Sequence, residues 1–161
     1  MTWSTLVTAL RPSLRIGLAA GLAVAIAQLL RLPYPLYALV AVVIVTDLSA
    51  PRTRKLALRR LVGTVLGSAL GATIHPWLPP AAWSIGLGVL LAIFLSYLLH
   101  LDEAAKVAGY VCGIVMLEHG DHPWSYALYR LLETVLGIGL AVLVSLVPLL
   151  IPIDEPTREG S

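Results

Sequence analysis

Charge is scarce in this sequence. Only 12% of its 161 residues are Asp, Glu, Lys or Arg, against about 25% in soluble domains. That leaves too little polar surface to coat a water-soluble globule, and it excludes charge-rich disorder. Cysteine is nearly absent too. The single thiol, Cys112, has no partner in the chain, which excludes a disulfide scaffold and a cysteine-rich metal site. A net charge of only +2 argues against nucleic acid as a partner. No nucleophile–base pair, phosphate-cradling glycine loop or metalloprotease motif is present, so neither an enzyme nor a cofactor is expected. What is abundant is apolar: 58% of residues are hydrophobic, mean hydropathy is +0.89, and these residues come in long blocks that suit lipid.

Six blocks stand out, at positions 14–30, 35–48, 61–74, 84–99, 105–117 and 126–148. A spanning helix needs about 20 residues, so the second, third and fifth reach that length only with flanking residues such as Tyr34, Arg59, Arg60, Lys106 and Glu118. Prolines punctuate the blocks: Pro33 and Pro35 after the first, Pro51 at the end of the second, Pro76, Pro79 and Pro80 after the third, and Pro123 before the sixth. In lipid, backbone polar groups need internal partners, which favours helices over an open sheet. The fold class expected is therefore an all-α membrane protein with six transmembrane helices.

Lysine and arginine set the orientation. One side gathers Arg11, Arg15, Arg52, Arg54, Lys55, Arg59, Arg60, Lys106 and Arg158; the other has Arg31 and Arg130. Both termini are expected in the cytoplasm, with Tyr34, Trp77, Trp83, Trp124 and Tyr126 as an outer aromatic belt. The expected division is a cytoplasmic segment at 1–13, a membrane domain at 14–150 and a short cytoplasmic tail at 151–161, in the bacterial inner (plasma) membrane. Ala25-Ile26-Ala27 has the look of a leader cleavage site, but the repeat described next requires the first helix to stay.

Arg60-Leu61-Val62-Gly63-Thr64-Val65-Leu66-Gly67 and Arg130-Leu131-Leu132-Glu133-Thr134-Val135-Leu136-Gly137 agree at six of eight positions. Ile16-Gly17-Leu18 is echoed by Ile85-Gly86-Leu87 at nearly the same offset. The unit, about 14–76 and again about 83–150, holds three spans, and an odd number inverts the second copy. Inverted repeats recur in transporters, with sites near the repeat interface.

These arginine-and-glycine spans and the six-span length resemble the fusaric acid resistance (FUSC-like) / aromatic acid exporter superfamily, over roughly residues 11–150. The plant aluminium-activated malate channels are similar in the same region. The resemblance implies a six-helix block that moves organic anions, aromatic carboxylates among them, through a pathway formed by paired blocks. Larger members carry a second membrane block or a cytosolic domain, which implies that this chain acts as a homodimer or higher homo-oligomer.

Arg60, Thr64 and Ser68 are spaced to share one helix face, beside Gly63, Gly67 and Gly71, and Arg130 and Thr134 repeat the relation. Guanidinium charge, hydroxyls and small residues together suit an anion pathway, with Arg60 expected at the inner end and Arg130 at the outer end. Arg130 has a structural alternative, an ion pair with Glu133 three residues on. Glu133 is also the acid best placed for proton coupling. Asp47 is expected to pair with Arg52 or Arg60, or to cap the basic loop. Glu118, His119, Asp121 and His122 read as a solvated outer loop rather than a metal site, with the histidines able to make it pH-sensitive. Glycine spacing at Gly17/Gly21/Ala25, Gly63/Gly67/Gly71 and Gly109/Gly113 reads as helix packing. The leading expectation is an organic-anion transporter or channel, its partners being the bilayer, a small organic anion and further copies of itself. The competing one is a non-transporting subunit of a larger membrane complex.

Overall fold

The computed structural model describes residues 3–47, 49–118 and 122–146. They form α1 (Trp3–Leu29), α2 (Pro35–Val45), α3 (Ala50–Ile74), α4 (Ala82–Leu98), α5 (Asp102–Glu118) and α6 (Pro123–Ser145), with a short 3₁₀ turn at His75–Trp77 and no strand among the described residues. Each expected block corresponds to one helix. The tail expected at 151–161 and the loop residues His119 and Asp121 lie outside the described residues.

The helix ends differ from expectation where proline chemistry is ambiguous. α1 begins well before position 14 and runs through Pro12, where Ser13 Oγ donates back to the Ala9 carbonyl at 2.8 Å. α2 stops at Val45 because Thr46 takes an extended backbone. Pro51 does not end α2. It sits in the first turn of α3, where a missing amide costs no helical bond. Pro35 and Pro123 open α2 and α6 in the same way.

Two segments have the length and apolarity to cross a bilayer, Pro12–Leu29 and Pro123–Ser145. α2 and α4 are apolar but shorter. α3 has 25 residues, but Arg52, Arg54, Lys55, Arg59 and Arg60 make its first half basic.

α3 and α6 are central. α3 packs on α5 and α6 and more lightly on α4 and α2; α6 packs on α2, α3 and α1; α1 pairs with α2 and α4 with α5. Glycine sets how closely these helices approach. A Cβ built on Gly71 would lie 2.8 Å from Val115 Cβ, and one on Gly63 would lie 2.5 Å from Val107 Cβ, so α3 meets α5 along this face. Gly137 serves the α6–α2 contact, where a Cβ would lie 2.7 Å from that of Ala41. Buried alanines, among them Ala38, Ala41, Ala105, Ala108 and Ala141, keep the other contacts close. Large apolar side chains such as Leu18, Leu90, Phe94 and Leu143 are exposed, as lipid-facing residues are.

α1 and α4 end alike. Arg31 and His100 adopt positive φ, 53° and 58°. Leu32 N donates to Ala27 O at 2.9 Å and Leu101 N to Ser96 O at 2.8 Å. Both are Schellman caps, built here without the glycine that usually tolerates this conformation.

Candidate functional site

α3 and α6 cross in antiparallel fashion. Ala57 packs with Ile138 and Ala141 at one end of the contact, and Val65, Ser68 and Ala69 share a cavity wall with Trp124, Ala127 and Leu131 at the other. Between these ends lie Arg60 and Thr64 of α3 and Glu133 and Thr134 of α6, with Arg130 one turn before Thr134. All five are buried, at 2% exposure or less, and Ser68 is 5% exposed. Arg60, Thr64 and Ser68 thus lie buried along α3, and Arg130 and Thr134 along α6.

The two arginines were expected at opposite mouths. The antiparallel register sets Arg60 toward the end of the crossing marked by Ala57 and Ala141, and Arg130 toward the end marked by Ser68 and Trp124. Each rests on a tyrosine. Arg130 Cζ stands 3.9 Å from the centre of the Tyr37 ring, a cation–π contact. Arg60 Cζ is 5.8 Å from the Tyr110 ring centre, and its Nη1 donates to the Tyr110 hydroxyl. Among the described residues, Arg60 Nε, Arg130 Nε and Nη1, Thr64 Oγ1, Ser68 Oγ and Glu133 Oε2 have no hydrogen-bond partner. Buried polar atoms are almost always satisfied, so this many together mark a polar interior rather than a packing seam.

The Arg130–Glu133 ion pair is not formed; the ion pairs among the described residues are Arg52–Asp47, Lys55–Glu103 and Arg59–Glu103. Glu133 Oε1 instead accepts from Tyr34 N at 2.7 Å. α6 packs closely on α2, and the Tyr34 amide just before α2 reaches the carboxylate. Asp47 pairs with Arg52 at 3.2 Å, as one of its expected roles had it.

Several functional-looking residues were not singled out from sequence. Arg15, counted among the inner basic residues, is only 1% exposed and lines a cavity of about 130 Å³ with Thr46 and Asp47. Tyr34, Tyr37 and Tyr126 form a ring cluster, Tyr34 and Tyr126 meeting edge-on at 4.9 Å. The Tyr37 and Tyr126 hydroxyls contact each other and lie 3.1 and 2.9 Å from Glu118 Oε2; with one proton each, one hydroxyl donates to its neighbour and the other to the carboxylate. Glu118 is therefore engaged by the aromatic cluster as well as exposed. Tyr37 and Tyr126 are buried, at 8% and 2% exposure, so they pack inside the bundle rather than facing lipid as a belt. His122 is exposed. Among the described residues no cluster of His, Cys, Asp and Glu could hold a metal ion.

On the basic face, Glu103 at the start of α5 receives hydrogen bonds from Nε and Nη2 of Arg59 and lies 3.3 Å from Lys55 Nζ. Desolvation pushes its carboxyl up, but the bonds from Lys55 and Arg59 outweigh this and hold it below the usual carboxylate range.

Among curated proteins and among solved structures, nothing matches the chain. The model of aromatic acid exporter family member 1 matches residues 11–147, which takes in all of α2 to α6 and most of α1. A membrane helical protein with arginines buried at the crossing of two glycine-bearing helices fits that assignment, and the chain belongs to the aromatic acid exporter family.

Proposed function

We propose that this chain is the subunit of an exporter for organic anions, aromatic carboxylates among them, working as a homo-oligomer in the inner membrane. One observation carries the reading. Arg60 of α3 and Arg130 of α6 are both buried, with guanidinium nitrogens left unpaired, and the hydroxyls of Thr64 and Ser68 along the same face of α3 are also buried without a partner among the described residues. Fixed buried cations without carboxylate partners are costly, and a transient anion supplies what they lack. Thr134, buried in the equivalent place on α6, completes the lining. Glu133, with one oxygen unengaged, is the group through which a proton couples to movement.

The inverted arrangement is part of this reading. When α1, α2 and α3 are exchanged for α4, α5 and α6, the packed pairs map onto each other: α3–α5 onto α6–α2, α1–α2 onto α4–α5, and α1–α6 onto α4–α3. Gly67 facing Ala108 and Gly137 facing Ala38 obey the same exchange. This pattern supports six membrane helices with both termini on one side, and the lysine and arginine bias favours the cytoplasm for that side.

Flux of an organic anion into liposomes holding the purified protein tests the proposal. Arg60→Ala or Arg130→Ala is expected to lower flux about tenfold or more, equivalent to roughly 1.4 kcal/mol of lost stabilisation. Arg→Lys restores charge without the planar fork, so partial recovery is expected. Unchanged flux in both alanine variants overturns the pathway.

A further inference from the structure

We infer that the cleft between α3 and the α4–α5 corner is a loading site for carboxylates with an apolar body, and that Glu103 is a tethered carboxylate that occupies its head. The inference rests on the transport reading for its place in a cycle, but the site is argued from its own geometry. The cleft encloses about 260 Å³. Leu58, Val62, Leu101 and Ala104 supply its apolar wall, and Arg59 and Glu103 stand at its polar end.

Glu103 grips Arg59 with both oxygens, one to Nε and one to Nη2, while Lys55 approaches Oε1 at 3.3 Å. A fork-to-fork pair of this kind is how arginine binds any carboxylate. An organic anion entering the cleft would therefore want the same donors that Glu103 holds. Glu103 keeps more than half its side chain exposed and Lys55 more, while Arg59 is 29% exposed. The acid can therefore swing away into solvent, and the less exposed guanidinium stays to receive the newcomer.

The fold does not require this acid. The correspondence that carries Arg60 onto Arg130 also carries Arg59 onto Tyr129, Lys55 onto Ser125 and Glu103 onto Pro33. Those three residues line a second cavity, of about 330 Å³, together with Arg31 and Tyr34. The two linings share the corresponding positions 59/129, 101/31, 103/33 and 104/34, the first with Asp102 and Glu103 beside its arginine and the second with no acid in its lining. A packing role common to both corners does not account for Glu103. A competitor that must be displaced accounts for its bidentate seat, its exposure and its absence from the other corner.

The test uses the full chain in lipid nanodiscs and in liposomes, with labelled benzoate as probe and benzamide as the uncharged control. Direct binding and flux are both read. Removing a tethered competitor raises apparent affinity without any new contact. Glu103→Gln is expected to lower the half-saturating benzoate concentration about tenfold and leave benzamide unaffected. Adding Arg59→Gln to Glu103→Gln is expected to cancel the gain, and Glu103→Ser guards against a contact peculiar to glutamine. Benzoate affinity that is unchanged or weaker in both Glu103 variants, or an equal gain for benzamide, overturns the inference. Tighter binding without flux in any form supports the site while overturning the transport reading. Normal flux with no change in binding does the reverse.

Discussion

Glu133 is anchored by one oxygen. Its Oε1 accepts from Tyr34 N at 2.7 Å, and Oε2 has no partner among the described residues. An amide in its place keeps the acceptor for Tyr34. Glu133→Gln is therefore expected to hold stability within about 1 kcal/mol, whereas Glu133→Ala removes the acceptor of this part-buried bond and costs about 1–3 kcal/mol. Equilibrium unfolding in mixed micelles separates the two. Both variants are expected to lose the response of flux to a pH gradient. Arg130 follows a different logic because it stacks on Tyr37. In double-mutant cycles Arg130→Ala is expected to couple to Tyr37→Leu by roughly 1 kcal/mol and to Glu133→Ala by less than about 0.5 kcal/mol. A large rescue of Arg130→Ala by Glu133→Ala is the result that would restore the ion pair.

That contrast shows what the sequence reveals about single residues. The spacing of Arg60, Thr64 and Ser68, and of Arg130 and Thr134, placed them on shared faces because helical periodicity is local. Residues three apart on one helix also suggested an Arg130–Glu133 pair. Tyr34 overrode it from 99 positions away, through a packing choice that no local pattern contains. Arg15 stayed hidden for another reason: the positive-inside rule already accounted for it, so its burial had no separate signature.

At the scale of the helix, two kinds of glycine are distinguishable. Gly71 faces Val115 so closely that a methyl group forces a shift, while a Cβ on Gly86 meets nothing within 4 Å. Gly71→Ala is expected to destabilise by about 1–3 kcal/mol through overpacking. Gly86→Ala is expected to be neutral or to stabilise by up to about 1 kcal/mol through helix propensity. Thermal unfolding of the detergent-solubilised protein ranks them. Small-residue spacing in the sequence flagged Gly71 and Gly17 alike, although a Cβ on Gly17 also meets nothing within 4 Å, since spacing records that a helix can approach and not which neighbour does. The helix ends were legible to the extent that proline is unambiguous. Pro79 and Pro80 marked a turn, but Pro51 suits the stop of one helix and the start of the next equally well, and Thr46 ended α2 first.

For the whole molecule, the exchange of α1–α3 with α4–α6 places the turn at Pro79 opposite the basic stretch at Arg52–Arg59. A cysteine at Pro79 is expected to react with impermeant maleimide from outside only; the native Cys112 is buried and contributes little background. Labelling from the cytoplasmic side alone would invert the topology. Native mass measured in nanodiscs is expected to exceed one copy, since the chain is proposed to work as a homo-oligomer.

The shortness of α2 has a consequence for the lipid around it. Its 11 residues rise only about 16 Å, yet Leu36, Val43 and Ile44 are exposed along it. In the six-span arrangement proposed above, acyl chains beside this helix would compress or tilt to cover a hydrophobic belt far below the roughly 30 Å of an unperturbed bilayer core. The deformation grows with chain length and brings headgroups and water toward the buried tyrosines and Arg130. Flux is therefore expected to depend on acyl-chain length, and the protein to gather where the membrane is thin.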